Sequence, residues 1–125
     1  MDNLNNEFIV YHLATGSNNN DYFTVAANAG STGLFTNVCI PIQTILMTVQ
    51  PQVLQNAVNL FAKEGFNGVV KLRKALSNNP EGQFLFINHD DAPNIEVNQY
   101  GHVIALHHIF SGEELLINYK SIHIH

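Results

Sequence analysis

A chain of 125 residues, 46% of them hydrophobic, has room for a single domain with one real core, and no stretch approaches the roughly 20 apolar residues of a membrane span. The one cysteine, Cys39, excludes an intrachain disulfide and a cysteine-rich zinc module. The formal charge of −5 is unevenly laid out, with no Lys or Arg from Ala75 to Tyr119 but six carboxylates there, an acidic half that disfavours nucleic acid and attracts a basic peptide.

In chain order, MDNLNNEF has neither the basic nor the apolar segment of a signal peptide, so a reducing, cytoplasmic (or, in a eukaryote, nuclear) setting is expected. Residues 8–13 read as a first strand, residues 16–20 as a polar loop and residues 22–26 as a second strand. Residues 28–33 form a glycine-bearing turn, followed by Leu34-Phe35-Thr36, Ile40-Pro41 and Ile45-Leu46-Met47.

Residues 51–78 are the helical part. Pro51 suits a first helical position, and Val53, Leu54, Ala57, Val58, Leu60 and Phe61 give an apolar stripe. Gly65 ends that helix. Asn67 is placed to cap a second, in which Val69, Leu72 and Leu76 share a face and Lys71 and Lys74 lie outside it. Asn78-Asn79-Pro80 closes the region.

Residues 83–87, a short apolar run rich in aromatics, read as a buried strand. Asn88, Asp90, Asp91 and Pro93-Asn94 then supply turn chemistry. Gln99-Tyr100-Gly101 makes a hairpin turn before a strand over 102–108, and Ser111-Gly112 makes another before a last strand over 115–119. His107 and His108 are adjacent on that predicted strand and face opposite ways, so they do not chelate together. His123 and His125 form an H-x-H pair able to bind a metal, but with one cysteine and no H-E-x-x-H no metal site is assigned. No Ser-His-Asp arrangement, phosphate loop or glycosidase-like carboxylate pair stands out.

The stretch NHDDAPN (88–94), then Gly112-Glu113-Glu114-Leu115 and Tyr119, resembles the C-terminal half of a SET domain, with its N-H-x-x-x-P-N box, G-E-E-L turn and catalytic tyrosine in order. Gly33-Leu34-Phe35 and Ile40-Pro41 resemble that family's opening. Ser31 stands where its G-x-G turn has the first glycine, Thr32 where Arg is common, and Gln43 where a second turn often has glycine.

The resemblance implies a mainly β, SET-like (β-clip) fold: one domain over 1–125, several short sheets, a helical insert at 51–78 and a pseudoknot-like threaded C-terminal segment. It implies S-adenosylmethionine as cofactor, held by Gly30, Ser31, Thr32, Gly33, Asn88, His89 and Tyr119. Tyr119 would be the catalytic residue of a methyl transfer to the lysine of a basic protein or peptide. The competing reading is a catalytically silent SET-like module that binds a peptide or partner, favoured by the short tail after Tyr119. Ile122 and Ile124 in that tail suggest an open strand edge and hence a homodimer.

Overall fold

A computed structural model describes residues 22–28, 31–75 and 80–122. The strand expected over 8–13, Gly30 of the expected cofactor turn, and His123 to His125 lie outside the described residues. Among the described residues, no helix is long and apolar enough to cross a membrane.

The chain is mostly short strands in three small sheets, with two helices between them. Strands β1 (Phe23–Asn28) and β2 (Ser31–Thr36) pair antiparallel from Phe23↔Thr36 to Asn28↔Ser31, so Ser31, Thr32 and Gly33 belong to a strand. Strand β3 (Ile45–Thr48) pairs with β6 (His102–Ala105), which also pairs with β5 (Ile95–Val97). The β3–β6 register slips between Ile45 and Met47, a bulge that lets successive residues Leu46 and Met47 both face the core. In β5, Ile95 and Val97 point inward and Glu96 outward, the alternation of a half-buried strand. Strands β4 (Asn88–His89) and β7 (Leu116–Ile117) pair in parallel.

That parallel pair places the C-terminal segment. Leu115 N–H donates to Leu34 O (2.8 Å) and Thr36 N–H to Glu113 O (3.0 Å), so the segment is held by β2 on one side. Immediately afterwards Leu116 and Ile117 pair with Asn88 and His89. Residues 113–117 therefore lie between the opening and closing parts of the chain. Leu34, Ile40, Leu85, Ile87, Ile109, Leu115 and Tyr119 are fully buried around this junction.

Helix α1 (Pro51–Glu64) starts with proline in its first turn and buries Val53, Leu54 and Ala57. Gly65 closes it at φ 69°, its N–H bonding to Phe61 O, a backbone that favours glycine. Helix α2 (Phe66–Ala75) begins at the next residue. Asn67 thus sits in its first turn instead of capping it, because Gly65 alone makes the corner. Gly68 seats α2 on α1: a Cβ there would stand 2.6 Å from Leu60 O.

Three expectations about strands are corrected. Residues 83–87 are not a strand: Pro80–Phe86 is a 3₁₀ turn, and the Leu85 carbonyl is taken by Arg73 instead of a neighbouring strand. The strand expected over 102–108 stops at Ala105, opposite the first residues of β3 and β5, and beyond it only separate contacts continue: Leu106 N–H donates to Asn94 O (2.9 Å) and Ile109 bridges Ile40. His107 and His108 lie past its end and are exposed. The last strand covers only Leu116–Ile117, and Tyr119–Ser121 is a 3₁₀ turn in which the Asn118 side chain accepts from Lys120 N–H. That turn directs the chain inward, so Ile122, expected on an exposed edge, is buried.

Candidate functional site

The site forms where β2, β4, β7 and α2 meet. A cleft of about 700 Å³ opens there, lined by Thr32, Phe66, Val70, Arg73, Asn88, His89, Glu114 and Leu116. Of the residues expected to hold a cofactor, Thr32, Asn88 and His89 line it directly. Ser31 is in β2 beside Thr32.

Gly33 contributes by what it lacks. It is buried, and a Cβ at this position would collide with the Glu114 carboxylate and lie 3.1 Å from the Asn88 amide nitrogen. The missing side chain lets Glu114 reach Asn88 across β2.

The Asn88 carboxamide is the hub. Its Nδ2 donates to Glu114 Oε2 (2.8 Å) and to Thr32 O (3.0 Å), and its Oδ1 accepts from an Arg73 Nη (2.8 Å). Arg73 offers only donors and the other two partners only acceptors, so chemistry alone sets which end of the amide faces which way. Arg73 also donates through Nε to Leu85 O, and its guanidinium lies over the Phe66 and Phe86 rings, at 4.8 and 5.2 Å. Burial pulls the Arg73 pKa down from its usual value, opposed by nearby Tyr119 and Glu114.

Neighbouring Glu113 and Glu114 have different tasks. Glu113 Oε1 accepts from Phe110 N–H (3.1 Å) and closes the turn at Gly112, while Glu114 faces the cleft. The buried Asn94 fastens this segment: its Oδ1 accepts from Leu116 N–H (2.8 Å) and its Nδ2 donates to Glu114 O (2.9 Å). The Pro-Asn of the box is therefore a clamp on the strand that carries Glu114.

Tyr119 lies one layer behind the cleft wall. It is 1% exposed and its hydroxyl donates to Ile87 O (3.1 Å). Its ring stacks on Phe61 (5.3 Å) and meets Phe66 and Phe84 edge-on (6.2 and 6.4 Å). Its backbone N–H donates to His89 Nδ1 (3.1 Å), which leaves His89 Nε2 beside Asp91 (3.3 Å). Burial pushes the phenol pKa well above its usual range, against a smaller pull from the Arg73 charge.

Sequence reasoning missed Arg73 and Glu114. Arg73 stands four residues after Val69 and so on the same helix face, the one that packs inward. A cation at a core-facing position was the available signal. Glu114 was absorbed into a turn motif, and nothing in its spacing separated it from Glu113. Among the described residues, no three His, Cys, Asp or Glu gather into a metal-binding group.

The family model of the SET domain matches residues 31–120, and the chain belongs to that family. Its fold is thus of the lysine-methyltransferase type. No curated protein matches the chain at a significant level.

Proposed function

We propose that this SET domain transfers a methyl group from S-adenosylmethionine to a lysine side chain of a basic protein or peptide. The observation that carries the reading is the pairing of β4 with β7, which brings Asn88, His89 and Glu114 to one cleft with Tyr119 directly behind it.

The lining fits such a cofactor in kind. Glu114 is a carboxylate suited to a cationic group, and Phe66, Val70 and Leu116 are apolar surfaces. A molecule with a zwitterionic amino-acid end, a sulfonium and a flat ring system needs each of these. Thr32, Asn88, His89 and Glu114 would hold it, and when bound it supplies a cationic, transferable methyl group.

The chain's own residues supply the rest. A free lysine amine has a pKa of about 10.4 and attacks only when neutral. Phe66, Val70 and Leu116, the apolar part of the cleft lining, disfavour an ammonium. The Tyr119 phenol stays protonated, so it acts as an oriented dipole and not as a base. Ile87 O fixes its proton. Positioning provides much of the acceleration. Exposed Asp90, Asp91 and Glu96 add to the acidic field that draws in a basic substrate.

The second reading, a silent SET-like module that binds a peptide, draws on one observation: the Tyr119 hydroxyl is committed to Ile87 O beneath Phe61 and Phe66. Calorimetry with S-adenosylmethionine and mass spectrometry of a basic test peptide separate the two. The enzyme binds the cofactor and shifts the peptide by whole methyl masses, and Asn88→Ala weakens binding without unfolding. A wild-type protein that takes up cofactor or peptide but never modifies the peptide is the silent module.

A further inference from the structure

Arg73 is an anomaly among the basic residues. Lys63, Lys71, Lys74 and Lys120 are exposed, whereas Arg73 is 7% exposed. A buried charge is costly unless well partnered. Yet among the described residues no carboxylate lies within ion-pair distance of Arg73, and its partners are Leu85 O, Asn88 Oδ1 and two aromatic faces. An apolar side chain of similar length would fill the space between Phe66 and Phe86 without that cost. What only the guanidinium provides is a rigid fork of donors aimed at two acceptors.

That fork decides the state of Asn88. Once Arg73 claims Oδ1, both Nδ2 protons are left for Thr32 O and Glu114 Oε2. The side chain then keeps one uncommitted acceptor lone pair and no donor, and Glu114 is held against the cleft wall. Toward a ligand, this pair accepts from a cationic group and repels an anionic one.

We propose that Arg73 is a positioning residue that orients the Asn88 amide, and through it Glu114, so that the cationic end of the ligand is bound only while α2 is docked. The helical insert is thereby a structural condition of binding and not merely a cover on the sheet. The inference rests on the reading that the cleft takes S-adenosylmethionine, but it has a signature in the ligand-free protein.

The test uses the isotope-labelled full chain with Arg73→Met, which keeps length and loses every donor, and Arg73→Lys, which keeps charge but has no fork. In ligand-free protein, NMR follows exchange of the Asn88 side-chain amide protons. Both variants are expected to speed it about tenfold, the scale of one lost hydrogen bond to a charged group. Backbone protection in α2 should be retained. Calorimetry then compares S-adenosylmethionine affinity in Arg73→Met, Asn88→Ala and the double variant. The double variant is expected to bind no more weakly than Asn88→Ala, since Arg73 acts through Asn88. Unchanged amide exchange, or losses that add in the double variant, overturns the proposal. If Arg73→Met does not fold, Arg73→Lys decides by the same exchange measurement. If the wild type binds no S-adenosylmethionine, the functional reading falls, and the amide exchange alone judges Arg73.

Discussion

Tyr119 and His89 are bound through the backbone of one and the ring of the other: the Tyr119 N–H donates to His89 Nδ1 at 3.1 Å. With the Tyr119 hydroxyl on Ile87 O, the C-terminal turn grips residues 87–89 at two points. The segment bearing the cleft-wall residue Asn88 and the segment bearing the tyrosine are therefore tied together. Any change at Tyr119 has to be read for both a structural and a chemical effect.

Tyr119→Phe separates them. The ring contacts with Phe61, Phe66 and Phe84 survive, and only the bond to Ile87 O is lost. The expected stability loss is about 1 kcal/mol, measured by urea denaturation. Methyl transfer to a basic peptide should fall far more, in kcat with cofactor affinity kept, because the hydroxyl acts on the transition state. A Phe variant that turns over at the wild-type rate would rule out the role assigned to the tyrosine while leaving the fold assignment intact.

The same hydroxyl makes stability sensitive to alkaline pH. Burial raises the Tyr119 pKa in the folded state, above the unfolded value of about 10. The folded chain holds this proton more tightly, so the contribution is complete below about pH 10 and is lost as pH rises beyond it. The wild type should lose up to about 1.4 kcal/mol per pH unit from this group above that point. Tyr119→Phe should lack that component. Denaturation curves from about pH 8 to pH 11 measure it, and equal slopes for the two proteins would contradict the assignment.

A departure from the family pattern yields the third prediction. Gln43 stands where a glycine is common, and it adopts φ 73°, the only positive φ of a non-glycine among the described residues. The turn is kept because the Gln43 N–H donates to Ala105 O (2.9 Å) and Thr44 N–H to Pro41 O (3.2 Å). A left-handed non-glycine residue costs roughly 1–2 kcal/mol, and glycine's extra unfolded-state freedom returns part of that. Gln43→Gly should therefore raise stability by up to about 1 kcal/mol, visible as a higher Tm. A lower Tm would mean that the exposed Gln43 side chain stabilises the turn in a way its backbone contacts do not reveal.

How far the sequence could be read follows from the kind of signal each element carried. Asn88, Pro93-Asn94 and Tyr119 stood out through their resemblance to the SET family's N-H-x-x-x-P-N box and tyrosine, and the chain does bring them together. The helices were legible from Pro51, Gly65 and the apolar stripe. Residues 83–87 were not, because the Leu85 carbonyl is taken by the Arg73 side chain and the Ile87 carbonyl by the Tyr119 hydroxyl, and strand propensity says nothing about that. The bend after Ala105 was hidden for a similar reason: it depends on where β3 and β5 begin. Glu114 became a site residue only through Gly33, about eighty positions away and recognisable by an absent atom.

Gly33 gives the sharpest prediction for that reason. Its φ is not in the left-handed region, so alanine fits the backbone of β2. The added methyl would meet the Glu114 carboxylate first and the Asn88 amide next. Glu114 Oε2 is the far end of a flexible side chain and swings away at small cost. Gly33→Ala should therefore leave the fold intact, with a stability loss of at most about 3 kcal/mol. What it breaks is the Glu114–Asn88 bond, a charge-assisted hydrogen bond worth about 1.5–3 kcal/mol. If that pair holds the cationic end of the cofactor, S-adenosylmethionine affinity should drop by about tenfold or more, measured by calorimetry beside a thermal melt. A Gly33→Ala protein that melts like the wild type and binds the cofactor equally well would show that Glu114 has no part in binding. Lost affinity accompanied by a collapse of the melt would instead place Gly33 in the core packing of β2, with no separable role at the cleft.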